Sequence, residues 1–217
     1  MAALAELLRP AEAAVVAAVE LRDVNRAIDE HILSKDFISL DNGRRVHAAA
    51  CTLIAFYFDS ARRLTSEERI QAIRESEARI LAVEWETWAS NLLGDWTVRH
   101  DFLTIDLAPF VRRTGERLGD LIAARAMVVS DPAILDGTPV VEGTRVPVHD
   151  VAAALAAGAS MERVREAYPS LGEREIRLSA LYAEANPQRG RPRTPVSLPE
   201  GSVIVTDRRV SRRRAAR

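Results

Sequence analysis

Apolar residues recur along most of this chain with helical spacing, interrupted by a few short stretches that alternate like strands. Arg9-Pro10-Ala11-Glu12 has the form of a helix start. The Ala/Val residues that follow (Ala13, Val15, Val16, Val19) predict one apolar face of a short amphipathic helix. After a break near Glu20-Leu21, Val24, Ile28 and Ile32 fall at i, i+4 and i+8, which predicts a second helix with one buried stripe. Arg22, Asn25, Arg26 and Asp29 then share its outer side. Two short helices with a tight connection and a polar outer face are the layout of a helix-turn-helix. Next, Asn42-Gly43 lies between apolar segments in Phe37–His47, a strong hairpin signal that places Arg44 and Arg45 on a wing.

Ala48 to Ala61 predicts a helix whose aromatics Phe56, Tyr57 and Phe58 belong to a core. Leu64-Thr65-Ser66-Glu67-Glu68 is an N-cap signature, with Ser66 as the cap if the helix begins at Glu67, and the helix runs to about Ala82. On its solvated face Glu75 and Arg79 stand at i, i+4. Trp85 and Trp88 follow without a clear pattern. Trp96 to Leu107 largely alternates as a strand, with Trp96, Val98, Phe102 and Leu103 facing a core or a partner sheet. With so few strands in view, this one is a candidate for pairing across a dimer or with another protein. Leu107-Ala108-Pro109 opens a helix through Arg125.

The most constrained stretch is Ser130 to Val148, SDPAILDGTPVVEGTRVPV. Pro132, Pro139 and Pro147 lock φ, and Gly137 and Gly143 supply conformations that other residues resist. Asp136-Gly137 and Glu142-Gly143 are turn signals around Pro139-Val140-Val141, predicting two short strands in a tight hairpin. Three short helices follow: Val148 to Ala157 with Gly158 at its C-cap, one capped by Ser160 and ending at Tyr168-Pro169, and Gly172 to Ala185. The exposed set Glu173, Arg174, Glu175 and Arg177 is nearly neutral, which favours a protein contact or dimerisation over DNA reading.

Composition narrows the picture. No apolar run reaches the length of a membrane span, and an N-terminus interrupted by Glu6, Arg9, Pro10 and Glu12 does not read as a secretory signal, so a cytoplasmic protein is expected. Cys51 is the single cysteine, with the neighbours of a buried structural thiol, and the four histidines are scattered. Neither a metal site nor a cofactor is expected, and no nucleophile is spaced with a base, so the chain does not read as an enzyme. The net charge of −1 hides a division. From Gln188 to Arg217 nine arginines face only Glu200 and Asp207, while the rest carries 21 basic and 29 acidic residues. A Pro/Gly-rich basic tail of this kind is expected to be disordered when free and to seek an acidic partner.

The motif DP-x-I-x-x-G-x-PVVEGTRVPV, with the Ala-rich helix, Gly158 and Tyr168-Pro169-Ser170-Leu171 after it, resembles the bacterial "domain of unknown function four-thirty-three" family over about Val128 to Ala185. Asp131, Pro132, Gly137, Pro139, Gly143, Thr144, Arg145 and Pro147 carry the resemblance. It implies a small helix-turn-helix domain, frequent in antitoxins encoded beside PIN-type ribonuclease toxins. With its longer N-terminal part the chain is similar to a VapB-type antitoxin, and the wing is similar to those of MerR-like and excisionase-like domains.

The expected fold is therefore mainly α with short β-hairpins (α+β). Residues 1–82 form a winged helix-turn-helix, 83–127 a linking region that could dimerise, 128–186 a three-helix unit and 187–217 a basic tail. Arg22, Asn25, Arg26, Arg44 and Arg45 would contact promoter DNA as a homodimer, with Arg44 and Arg45 beside phosphates or a minor groove. A plain solvated hairpin on a helical domain is the alternative. PIN-type ribonucleases hold metal with clustered carboxylates, so the resemblance implies an acidic site in the partner. Val203, Ile204 and Val205 would add a strand to the toxin's edge, and one of Arg208, Arg209, Arg212, Arg213 or Arg214 would enter that site. A stand-alone dimeric transcriptional regulator is the rival reading.

Overall fold

The structure, a computed structural model, describes residues 6–41, 43–82, 94–100 and 102–188. The predictions made on Trp85, Trp88 and the tail residues Val203 to Arg214 lie outside them.

The chain opens with strand β1 (Leu7–Leu8), then helices α1 (Pro10–Ala17) and α2 (Leu21–Asp29). α1 corrects the expected amphipathic helix. Glu12, Ala13, Ala14, Val15, Val16 and Ala17 are all buried, so the helix has no wet face over that run. Its alanines and valines allow close approach on every side, and α1 touches α2 and three helices that come later in the chain. It ends at Ala18, whose left-handed backbone (φ 56°) turns the chain, and Glu20 N-caps α2. α2 is amphipathic as predicted, burying Val24, Ala27 and Ile28. Ile32 joins the core although the helix has stopped, because His31 (φ 55°) bends the chain back under it.

A 3-10 turn, Lys35–Phe37, leads into β2 (Ile38–Ser39) and β3 (Arg45–His47). The predicted hairpin forms, with Ile38 opposite Val46 and Ser39 opposite Arg45. β1 adds a third strand on the other edge of β3, pairing Leu7 with His47 and Leu8 with Val46, which the sequence did not suggest.

Helix α3 (Ala50–Asp59) places Phe56 edge-on to Phe110, ring centroids 5.6 Å apart. Helix α4 (Ser66–Leu81) is capped by Thr65, not Ser66. The Thr65 hydroxyl accepts from the Glu68 N–H at 3.3 Å, and the Glu68 carboxylate returns a bond to the Thr65 N–H at 2.7 Å. The expected Glu75–Arg79 pair does not form. Arg79 donates to the carbonyls of Asp95 and Thr97, and Glu75 lies against Gln71 and His100.

The stretch read as one strand is two, β4 (Thr97–His100) and β5 (Leu103–Asp106), paired antiparallel with each other. Trp96 and Val98 are buried as expected, but Phe102 sits at the turn with its side chain wholly in solvent. Helix α5 (Ala108–Ala126) follows as predicted and runs against α1 and α3. Thr52 and Thr114 share a buried hydroxyl hydrogen bond of 2.7 Å where α3 meets α5.

The constrained stretch pairs differently from its prediction. β6 (Val128–Val129) lies antiparallel to β7 (Val140–Val141), while the Glu142-Gly143 turn returns only a single bridge, Val140 to Pro147. Three helices complete the fold: α6 (Val148–Ala156), α7 (Met161–Ala167) and α8 (Glu173–Ala185). Ser160 caps α7, accepting from the Arg163 N–H at 3.3 Å, and Gly158 takes a left-handed φ of 87° past the end of α6.

The result is mainly helical with three small antiparallel sheets, the α+β class that the pattern predicted. Val141, Val148, Val151, Val164, Leu171 and Ile176 make a small core of their own. α8 packs on α6 there and on α1 and α5 in the larger core, to which Ala185 belongs. Met1–Pro187 is one compact unit, with Gln188–Arg217 counted apart. Among the described residues no helix is long and apolar enough to cross a membrane.

Candidate functional site

Of the predicted nucleic-acid residues, α2 and the β2–β3 hairpin bring Asn25 and Arg44 together. α2 buries its apolar stripe, which leaves Arg22 and Arg26 exposed and Asn25 half-buried. The Asn25 amide donates to the Leu21 carbonyl one turn back, at 3.0 Å. The hairpin then brings Arg44 to this helix. Its Nη2 lies 2.8 Å from Asp29 Oδ1, and its Nη1 donates to Asp29 Oδ2 at 3.1 Å and to Asn25 Oδ1 at 3.4 Å. Arg45 lies in β3 opposite Ser39.

Each of the other two arginines also has an acidic neighbour. Arg26 Nε donates to both carboxylate oxygens of Glu30 at 2.9 Å, and Arg22 Nε sits 2.9 Å from Glu20. The Arg26–Glu30 spacing of four was legible in the sequence. The Arg44–Asp29 pair was not, because it depends on where the hairpin folds. A cleft of about 580 Å³ adjoins the α1–α2 turn. Its two arginines are engaged, Arg117 with the Val15 carbonyl at 2.6 Å and Arg113 with Asp59 at 3.5 Å.

The residues of the constrained motif hold backbone. The Asp131 carboxylate accepts from the Ala133 N–H at 2.8 Å. Leu135, Asp136 and Gly137 are successively left-handed, and Pro132 packs beside Gly137. The Pro139 carbonyl accepts from the Val148 N–H at 3.1 Å, and Pro147 N-caps α6. Gly143 (φ 72°) completes the turn, in which Thr144 Oγ1 donates to the Val141 carbonyl at 2.8 Å and accepts from the Val146 N–H at 3.1 Å. Arg145 is exposed. This geometry aims α6 and builds no reactive constellation.

A polar cluster outside every sequence expectation sits where α1 begins. Glu12 is only 2% exposed, yet charged partners surround it. Arg9 bonds it through both main chain and side chain, and Arg125 Nη2 approaches to 3.0 Å. Arg125 also pairs with Glu6, and Arg9 reaches the Asn186 side chain. Burial alone would raise the Glu12 carboxyl, but the hydrogen bonds from Arg9 and Arg125 outweigh it and hold it below the usual carboxylate range. Cys51 is fully buried, its thiol pushed up by burial, with Sγ 3.8 Å from the Ala13 carbonyl. Among the described residues no group of three or more His, Cys, Asp or Glu is placed to hold a metal ion.

Comparison with known proteins bears on the whole chain. The Sinorhizobium fredii "uncharacterized protein y4eO" is 64% identical over 214 residues, spanning 99% of this chain and 97% of that protein. The chain belongs to the y4eO family. Within this y4eO-family chain, the model for "protein of unknown function (DUF433)" matches residues 128–183, from β6 into α8. No solved structure matches.

Proposed function

We propose that the protein is the antitoxin of a type II toxin–antitoxin pair. As a homodimer it binds the promoter of its own operon through the α2 face and the β2–β3 wing. Its basic tail binds a PIN-type ribonuclease, placing an arginine among the metal-binding carboxylates. The observation that carries the DNA half is the α2 surface. Two short helices join through the left-handed Ala18, and a hairpin arginine, Arg44, docks beside Asn25 on the exposed side of the second. A winged helix-turn-helix offers one helix to a major groove and a wing to the backbone, and this juxtaposition supports that reading. The antitoxin half is supported by the residues of the central motif and by the arginine-rich composition after Gln188.

Two capture experiments test it. Full-length protein and a version ending at Asn186 are used as baits in the native host. A small nuclease retained by the first and lost by the second supports neutralisation through the tail. Capture of no nuclease by either, together with binding to the DNA upstream of the gene, moves the reading to a stand-alone regulator.

A further inference from the structure

Every arginine of α2, and Arg44 beside it, already holds a carboxylate. The three acids are Glu20, Asp29 and Glu30, at 2.9, 2.8 and 2.9 Å from their guanidinium nitrogens. Asp29 stands apart from the other two. Glu20 and Glu30 pair within two and four residues along α2, whereas Asp29 grips an arginine from the hairpin, with one hydrogen bond and a second close nitrogen–oxygen contact. A two-point guanidinium fork is the geometry in which arginine also holds phosphate. Asp29 therefore fills the seat that a DNA phosphate would take on Arg44.

We propose that Asp29 competes with DNA phosphate for Arg44 and so sets the affinity of this surface for any duplex, resting on the DNA-binding reading above. It keeps Arg44 from any phosphate that merely passes, because a duplex must first displace a well-placed carboxylate. Every duplex, whatever its sequence, offers Arg44 a phosphate in exchange for Asp29. Base contacts from the α2 face add to that exchange and are independent of it. The acid thus lowers the sequence-independent part of the affinity, which phosphate contacts supply, and leaves the base-reading part in place.

The test uses two duplexes, the DNA immediately upstream of the gene and a scrambled version of equal length and composition. Affinity is measured for wild type, Asp29→Asn, Arg44→Ala and the double variant. Asp29→Asn is expected to bind the scrambled duplex about three-fold more tightly, the size of one well-formed exposed pair. The upstream duplex gains by a similar factor, so the preference between the two duplexes is unchanged. In the Arg44→Ala background the same change should give no gain, because the arginine it frees is gone. An equal gain in both backgrounds means a general charge effect and overturns the proposal, as does an unchanged affinity for the scrambled duplex. A wild-type protein that binds neither duplex removes the DNA-binding reading and this proposal together. Matching circular dichroism and melting of all four proteins shows that the comparison is between folded proteins.

Discussion

The guanidinium of Arg44 and the carboxylate of Asp29 meet through a hydrogen bond of 3.1 Å and a second nitrogen–oxygen approach of 2.8 Å, across 15 residues of chain. With the 3.4 Å bond from Arg44 to Asn25, this contact joins the β2–β3 hairpin to α2. Both side chains are about half exposed, so the pair contributes little to stability. Its weight falls on orientation instead.

Replacing Arg44 with Ala should leave the melting temperature within about 2 °C of wild type, as for most exposed pairs. Binding to the upstream duplex should weaken, and the slope of log affinity against log salt should drop by about one. Fluorescence anisotropy across a salt series reads both. A slope identical to wild type would mean that Arg44 does not reach a phosphate.

Glu12 predicts an acid-sensitive fold. Its carboxyl is held below the range of the unfolded chain, where a glutamate titrates near about 4.3. The unfolded state therefore binds the proton first as pH falls. Stability from this group is complete above the pKa of the unfolded chain and is lost as pH falls through the lowered pKa of the folded state. Glu12→Gln should lower neutral-pH stability by about 2 kcal/mol, less than the roughly 3–5 of a fully buried pair. The reason is that Arg9 and Arg125 keep 46% and 31% of their side chains in solvent. Calorimetry between pH 7 and pH 3.5 should show a flatter acid limb for the variant, and parallel curves would contradict the assignment.

Phe56 and Phe102 separate packing from pattern. Phe56 is 1% exposed and meets Phe110 edge-on, so Phe56→Ala should cost about 3–5 kcal/mol in urea unfolding. Phe102, at the tip between β4 and β5, buries nothing. Phe102→Ser should fall within about 0.5 kcal/mol of wild type.

These two phenylalanines also mark what the sequence could and could not disclose. Signals carried within a few residues were legible: the α2 stripe, the Asn42-Gly43 hairpin, the Ser160 cap, and the prolines and glycines ahead of α6. Alternation placed Trp96 and Val98 correctly, but it reads the same on both sides of a turn. With no glycine or proline between His100 and Leu103, the reversal that exposes Phe102 left no mark. Pairings fixed by distant partners were invisible for a different reason. β1 is two leucines until β3 arrives beside it, and Glu12 is an ordinary first-turn acid until Arg125 reaches it. α1 was misjudged because small residues look like one face of a helix in sequence, yet they allow neighbours on all sides.

The cap of α4 offers a clean comparison of adjacent residues. Thr65→Ala removes the hydroxyl that accepts from Glu68 and should cost about 1 kcal/mol. Ser66, already inside the helix, donates nothing to that cap; its hydroxyl only accepts from Arg69. Ser66→Ala should cost clearly less in the same thermal melts.

α8 lies against α6 on one side and against α1 and α5 on the other, and Asn186 just beyond it meets Arg9. A helix shared in this way makes the matched C-terminal segment and the α2 surface members of one folding transaction. The segment cannot loosen privately. Any event that pulls α8 away also strips a wall from α1, the helix on which α2 is mounted. A change that loosens α8 is therefore expected to loosen α1 as well.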